Sequence, residues 1–157
     1  MKKQLLSGLS AFVLSGAIIA TTQASLSNED QIKTRQSAYQ FAAWNMGKIK
    51  AQVIDGTVEF NQAQVQAAAN AIAAVANSGM GALYAPGTDK GTGWKKTRLK
   101  SEFFEQPERV REVAIGFMTA ANELQKVAET GDKDAIARQF GTVGQSCKAC
   151  HDDFRGR

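Results

Sequence analysis

Residues that build metal and catalytic clusters are scarce in this sequence, since its 157 residues include only two cysteines and one histidine. A zinc site normally takes about four ligands of these kinds, so the composition argues against one. No acid–base pair or activated nucleophile can be recognised, and we do not expect an enzyme. Only two prolines occur, and alternating β-branched runs, which indicate strands, are rare. The sequence therefore favours helices and concentrates its reactive side chains in one short stretch.

The longest apolar run lies at the N-terminus. Two lysines precede an apolar stretch from Leu5 to Ala20, which serines and glycines interrupt. Thr22-Gln23-Ala24 then offers small residues at the positions that a signal peptidase reads. The run is shorter than the roughly 20 strongly apolar residues of a membrane-spanning helix. We predict that residues 1–24 are a cleaved secretory signal rather than a membrane anchor, which leaves a periplasmic domain of residues 25–157.

The excess of basic residues is small once this leader is removed. The chain has 19 basic and 15 acidic residues, and two of the lysines belong to the leader. The dense basic run is confined to Lys95-Lys96-Thr97-Arg98-Leu99-Lys100. Nucleic-acid binding needs a clustered basic surface, whereas this run is typical of a solvated loop. We expect no nucleic-acid partner, and no membrane contact of the mature form.

Amphipathic helical patterns fill the rest of the chain. Segment A is predicted to be capped near Asn28, segment C to begin at Pro107 and segment D to be capped by Asp132. Four such helices without strands predict an all-α fold, an antiparallel up-down-up-down four-helix bundle. The segments are A from Asn28 through Val53, B from Asn61 to Gly79, C from Pro107 to Gly131 and D from Asp132, with an irregular stretch, Met80 to Gln106, that includes a short helical turn near Leu99 to Phe104.

Each segment carries one apolar stripe at helical spacing, which predicts its buried face. The stripe of A is Ile32, Arg35, Tyr39, Ala42, Met46, Ile49 and Val53. That of B is Val65, Ala68, Ala69, Ile72, Val75 and Ala76. That of C is Val110, Val113, Ala114, Phe117, Ala121, Leu124 and Ala128. That of D is Ile136, Phe140, Val143, Cys147, Cys150, His151 and Phe154.

Both cysteines and the histidine fall within the five positions Cys147-Lys148-Ala149-Cys150-His151. The pattern C-x-x-C-H is typical of covalent haem attachment. Positions i, i+3 and i+4 of a helix share one face, so both thiols can bond to one porphyrin while His151 meets its iron. The alternatives are a disulfide or thioredoxin-like redox pair, which normally accompanies strands, and a haemless adaptor bundle. We predict one covalent haem c with His151 as an axial ligand.

The sixth position of the iron decides between two functions. His151 is the sole histidine, so ligation by two histidines is excluded. No methionine follows the motif, and a methionine ligand would have to be Met46, Met80 or Met118. Met46 is the best of these because it shares the stripe of segment A.

Arg35 and Tyr39 are polar members of that same stripe. A buried arginine is unfavourable unless it meets an anion, and a haem propionate would supply one through a bidentate contact. Tyr39, one turn further on, would then lie over the distal haem face as a bulky group that is not a ligand. The alternative is that Arg35 snorkels from the edge of the stripe and Tyr39 is ordinary core with its hydroxyl at the surface.

The chain resembles the cytochrome c′ family, an assignment that covers essentially the whole mature sequence. The resemblance implies that Arg35 contacts the haem propionates, that Tyr39 is the bulky distal residue and that Arg155 is the basic residue on the proximal side; we add Gln36 to the cofactor-binding set. It also implies a homodimer through the first two helices. One departure is Lys100, which stands where the family often has a tryptophan. The matching stretches are Arg35-Gln36-Ser37-Ala38-Tyr39, Ala85-Pro86-Gly87-Thr88 and Gly144 to His151.

We therefore expect a periplasmic protein with a five-coordinate, high-spin haem that binds NO and CO. A crowded, apolar distal pocket without hydrogen-bond donors favours neutral diatomics over polarised bound O₂. One-electron transfer with an unidentified redox partner is expected as a second capability. The alternative is a low-spin electron carrier of the same fold with Met46 as sixth ligand. Met46 lies about 10 Å along the helix from Tyr39 at 1.5 Å per residue, so both cannot lie over the iron.

Overall fold

The computed structural model describes residues 26–157, and the predicted leader lies outside that range. Within it the chain forms five α-helices joined by loops and one 3₁₀ turn, Met80–Leu83. The predicted helical turn in the long connection is confirmed as a short helix of four residues. None of the described helices is long and apolar enough to cross a membrane. The helices are α1 (Asn28–Val53), α2 (Gln62–Ala76), α3 (Glu102–Glu105), α4 (Pro107–Glu129) and α5 (Lys133–Phe154).

Side-chain caps begin three of the four long helices. The Ser27 hydroxyl accepts a hydrogen bond from the Asp30 amide at 3.1 Å, so the predicted cap Asn28 is instead the first helical residue. The predicted cap Asp132 is confirmed and accepts from the amides of Asp134 and Ala135. Asn61, the predicted start of segment B, is the N-cap of α2 and accepts from the Gln64 amide. Such a cap typically contributes about 1 kcal/mol, because it satisfies amides that have no partner within the helix.

Segment B ends earlier than its pattern predicts. Helix α2 stops at Ala76 rather than at Gly79. Gly79 adopts a positive φ of 75°, which a residue with a Cβ rarely tolerates. The chain turns there into the 3₁₀ turn and the long connection. The alanine-rich pattern alone could not locate this end, since Asn77 and Ser78 are compatible with one more helical turn.

The four long helices pack in a ring in which α1 contacts α2 and α5, and α4 contacts the same two neighbours. This arrangement is the predicted antiparallel four-helix bundle, and the fold class is confirmed. The main hydrophobic core lies around α2 and α4, where small alanines allow close approach of the helices. Its fully buried members are Ile49, Val65, Ala68, Ala69, Ile72, Ala121, Leu124, Ala128, Ile136 and Val143.

The predicted stripes are correct with three exceptions. Ala114 is exposed, because the buried face of α4 turns through Val113 and Ala120 instead. Tyr39 is 41% exposed, whereas Arg35 of the same stripe is buried. His151, at the end of the α5 stripe, is also exposed. Tyr39 and His151 thus leave the apolar core and belong to the site described below.

Candidate functional site

Helix α5 carries the two thiols in its last turns. Cys147 and Cys150 are half-buried free thiols, and Cys147 packs against the hydrophobic core. Burial raises the pKa of the Cys147 thiol, although its hydrogen bond to Ser146 lowers it. Burial also raises the pKa of Cys150, and Asp153 raises it further. A thioredoxin-like redox thiol needs a lowered pKa, so these surroundings do not suit that alternative.

His151 follows Cys150 on the exposed side of the same turn. Packing around the imidazole lowers the pKa of His151, and the nearby charge of Arg98 lowers it further. Both effects favour the neutral imidazole, which is the form that binds a metal ion. Arg98 belongs to the long connection, so the surroundings of His151 come from two parts of the chain.

Lys100 fixes the end of this helix. Its Nζ donates to the carbonyl oxygens of Asp152 at 3.1 Å and of Asp153 at 2.8 Å. Its backbone N–H donates to the Phe154 carbonyl at 2.9 Å. A cation suits the C-terminal end of a helix, where carbonyl groups have no partner within the helix. The sequence shows Lys100 as a departure from the family, but no role was predicted for it. The clue in the sequence was the lysine that stands where the family often has a tryptophan.

Arg155 is the C-cap of α5, with extended backbone angles of φ −112° and ψ 120°. Its amide donates to the His151 carbonyl at 3.1 Å, and it pairs with Leu99 in an isolated antiparallel bridge. The residue therefore leaves the helix one turn beyond His151. Its exposed side chain is available on that side of the molecule, and its predicted proximal role stays a prediction.

Arg35 is 5% exposed and lies at the centre of a polar network. One terminal nitrogen donates to the Leu83 carbonyl at 3.0 Å and to Thr88 Oγ1 at 2.8 Å. The other donates to the Thr88 carbonyl at 2.5 Å and to Thr97 Oγ1 at 3.0 Å. These four bonds join α1 to the long connection. Neutral carbonyl and hydroxyl oxygens therefore satisfy the buried guanidinium, for which the sequence predicted an anionic partner.

Burial lowers the pKa of Arg35, although the group stays charged at any physiological pH. Because its terminal nitrogens already have four acceptors, a bidentate contact with a propionate would have to replace some of these bonds. The Nε–H group can still donate to an anion without such a change. Contact with a propionate stays a prediction.

Tyr39 connects the two sides of the site. Burial raises the pKa of the Tyr39 phenol, and the Cys150 and Cys147 thiols, when ionised, raise it further. Its hydroxyl lies 3.4 Å from the Tyr84 hydroxyl. Helix α1, which carries Tyr39, packs against α5, which carries both thiols, so the phenol and the two thiols belong to one region of the bundle, called the haem site below.

The Gln36 side chain forms hydrogen bonds with the backbone of the long connection. Its Oε1 accepts from the amides of Trp94 at 2.8 Å and Lys95 at 3.2 Å, and its Nε2 donates to the Lys95 carbonyl at 2.8 Å. Gly93 allows this docking, because a Cβ there would lie 2.7 Å from the Lys33 amide nitrogen. Gln36 therefore holds the loop against α1, and its predicted cofactor contact stays a prediction.

The three candidate methionines have other surroundings. Met46 is half-buried and packs against the hydrophobic core. Met118 is 38% exposed on α4, and Met80 begins the 3₁₀ turn.

The donor set fits a covalently bound haem. Two free thiols stand one helical turn apart, an imidazole follows the second, and Tyr39 lies on the neighbouring helix α1. Within residues 26–157, no three His, Cys, Asp or Glu side chains form a cluster that could hold a metal ion by themselves. A helical bundle with C-x-x-C-H near the end of its last helix defines the class of c-type cytochromes.

Comparison with known proteins narrows the class to one family. The family model described as cytochrome C′ matches residues 30–155. Cytochrome c′ of Allochromatium vinosum is 55% identical over 96% of this chain and 94% of its own length. The chain belongs to the cytochrome c′ family, which confirms the predicted resemblance, and its cofactor is haem c.

Solved structures agree with this assignment. A cytochrome c′ described with an unusual ligand-controlled dimer dissociation is 56% identical, has a TM-score of 0.80 and covers 85% of this chain and all of its own. Cytochrome c′ of Alcaligenes xylosoxidans, 29% identical with a TM-score of 0.73, has been solved as a carbon monoxide-bound variant and as a nitric oxide complex of another variant. These matches cover 83% of this chain and 98% and 96% of the respective structures.

Proposed function

We propose that this member of the cytochrome c′ family is exported to the periplasm and binds NO and CO at a five-coordinate haem iron. The observation that carries the proposal is the position of Tyr39 on α1, which packs against the helix that bears Cys147, Cys150 and His151. Cys147 and Cys150 would hold the cofactor by thioether bonds, and His151 would ligate it from α5. When bound, the haem supplies an iron that takes up a diatomic ligand or one electron.

The residues around the haem site favour a five-coordinate iron. His151 is the sole histidine, and Met46 packs in the core. The raised pKa of Tyr39 keeps its phenol protonated at neutral pH, and a neutral phenol is a poor iron ligand. The Tyr39 ring therefore restricts access to the distal face without ligating the iron.

The relatives support the choice of ligands. Variants of cytochrome c′ of Alcaligenes xylosoxidans form complexes with CO and with NO, and we extend that behaviour to this chain. Binding of O₂ is expected to be disfavoured, as the resemblance to the family implies. One-electron transfer is the second capability, with a redox partner that this chain does not identify. We propose no enzymatic activity.

We also propose a homodimer through α1 and α2. The outer face of α1 exposes Phe41 and Trp44 by 50% and 58%, with their rings stacked at 5.9 Å. The patch continues to Val58 in the α1–α2 connection, which is 49% exposed, and to Gln64 on α2. A stable interface buries about 800 Å² per partner, and aromatic side chains are enriched in such interfaces. A relative forms a dimer whose dissociation is controlled by ligand.

The optical spectrum of the purified ferrous protein tests the proposed function. We expect a high-spin, five-coordinate spectrum that changes on addition of CO or NO. A low-spin ferrous spectrum without added ligand would favour the electron carrier with a methionine ligand.

Mass spectrometry of periplasmic protein tests export, with a mature chain beginning near Ser25 as the expected result. Sedimentation at micromolar concentration tests the dimer, and a monomer alone would contradict it.

A further inference from the structure

Tyr84 is held more firmly than an ordinary loop tyrosine. Its ring stacks on Phe103 of α3, with centroids 4.6 Å apart and planes 19° apart. The Arg35 guanidinium lies 4.6 Å from the centroid of the same ring. Phe103 in turn meets Phe154 of α5 edge to face at 5.5 Å. Tyr84 is therefore fixed between α1, α3 and α5 although it belongs to the long connection.

The hydroxyl of this fixed ring contacts Tyr39. The Tyr84 hydroxyl donates to the Tyr39 hydroxyl over 3.4 Å. The cation of Arg35 against the Tyr84 ring attracts its π face and helps to hold the donor ring in place. The chain contains two tyrosines in all, and the structure pairs them with each other on the side of α1 that packs against the 3₁₀ turn and α5.

We propose that Tyr84 is a positioning residue for ligand entry, whose hydroxyl holds the Tyr39 ring on the distal side of the haem site. This inference rests on the proposed function, in which Tyr39 restricts access to the iron. A diatomic ligand that approaches from the α1 side has to displace the Tyr39 ring, and the displacement breaks the hydroxyl contact. Arg35 acts through Tyr84, because it fixes the donor rather than the moving ring.

Removal of either hydroxyl should speed ligand entry by a similar factor. A net hydrogen bond of ordinary strength corresponds to a rate effect of about two- to tenfold, and the long distance of this one favours about two- to fivefold. Tyr84→Phe keeps the ring between Arg35 and Phe103, and Tyr39→Phe keeps the bulk over the iron. The double variant Tyr39→Phe/Tyr84→Phe should be no faster than either single variant, because each change removes the same bond.

The test measures CO association with the ferrous holoprotein and its Tyr39→Phe, Tyr84→Phe and double variants, with Thr92→Val as a control that removes an exposed hydroxyl elsewhere in the loop. Ultraviolet resonance Raman spectra of the same proteins report tyrosine hydrogen bonding, and their tyrosine bands come from this pair alone. We expect the single variants to lose the paired-hydroxyl signature and bind CO faster, with Thr92→Val unchanged.

An unchanged CO rate in Tyr84→Phe, together with a faster rate in Tyr39→Ala, would overturn the role of Tyr84 and leave the proposed function intact. Effects of the two single variants that multiply in the double variant would also overturn it, since independent groups behave in that way. A wild type that is low-spin without added ligand would overturn both proposals.

Discussion

The two halves of the bundle are built in opposite ways. Where α2 meets α4, the buried side chains, among them Ala68, Ala69 and Leu124, are apolar, and polar contacts such as that of Gln66 Nε2 with the Gln125 carbonyl lie beside them. Where α1 faces the long connection and α5, buried polar groups such as Arg35 and Thr88 are satisfied by hydrogen bonds to one another. The first half supports the fold by volume and shape. The second half positions side chains around the haem site. It depends on hydrogen bonds that single substitutions can remove.

The largest expected effect comes from the thiols. Cys150→Ala should abolish one thioether bond and weaken retention of the cofactor, while the apolar half keeps the chain helical. Haem staining after denaturing electrophoresis measures covalent attachment, and far-ultraviolet circular dichroism checks the fold. Loss of all haem from the wild-type chain under the same conditions would contradict covalent attachment itself.

A substitution in the apolar half should lower the stability of the fold without changing the bound haem. Leu124→Ala should lower the free energy of unfolding by about 3 kcal/mol, because it removes a fully buried side chain and leaves a cavity. The spectrum of the bound haem should stay the same. Ile115→Ala, which truncates a side chain that is 51% exposed on the same helix, is the matched control and should change stability little. Urea unfolding compares the two variants, and an equal loss in both would contradict the assignment of the core.

Sequence periodicity found the apolar half well and the polar half only in part. Val65, Ala68 and Ile72 follow from helical spacing, since every residue on that face meets another helix. Arg35 and Tyr39 stood out because they are polar on an apolar stripe. Their partners Thr88, Thr97 and Tyr84 could not be predicted, because the positions of loop residues depend on tertiary contacts that leave no period in the sequence.

The polar network offers a test of intermediate size. Thr88→Val keeps the volume of a fully buried side chain but removes the hydroxyl that accepts from Arg35 at 2.8 Å. An unsatisfied buried donor should lower the free energy of unfolding by about 1–3 kcal/mol. Thr92→Val, at an exposed position of the same connection, is the control. Thermal unfolding measures the difference, and equal stability of Thr88→Val and wild type would show that Arg35 finds another acceptor.

The smallest effect on stability and the clearest effect on function are expected at Tyr39. Tyr39→Ala should open the distal side, so that CO binds faster or water becomes a sixth ligand. Met46→Leu should leave the spectrum unchanged, because a volume-conserving core substitution usually costs less than about 1.5 kcal/mol. Optical spectra and CO kinetics measure both variants. A low-spin wild type that becomes high-spin in Met46→Leu would establish the alternative electron carrier.

The three-residue connection between α4 and α5 has a consequence for the order of folding. Thr130, Gly131 and Asp132 separate the two helices, and Gly131 takes a positive φ of 71° that permits the tight reversal. The α4–α5 pair can therefore form through local contacts. The bond from Arg35 to Thr88, by contrast, spans 53 positions, and so does the bond from Lys100 to the Asp153 carbonyl.

Closing such long loops is slow, because their chain entropy is lost before the contacts that they make are gained. We expect native-state hydrogen exchange to protect the amides of α4 and α5 more strongly than those of residues 80–101. The haem site would then be assembled late and open first, while the α4–α5 pair is already formed.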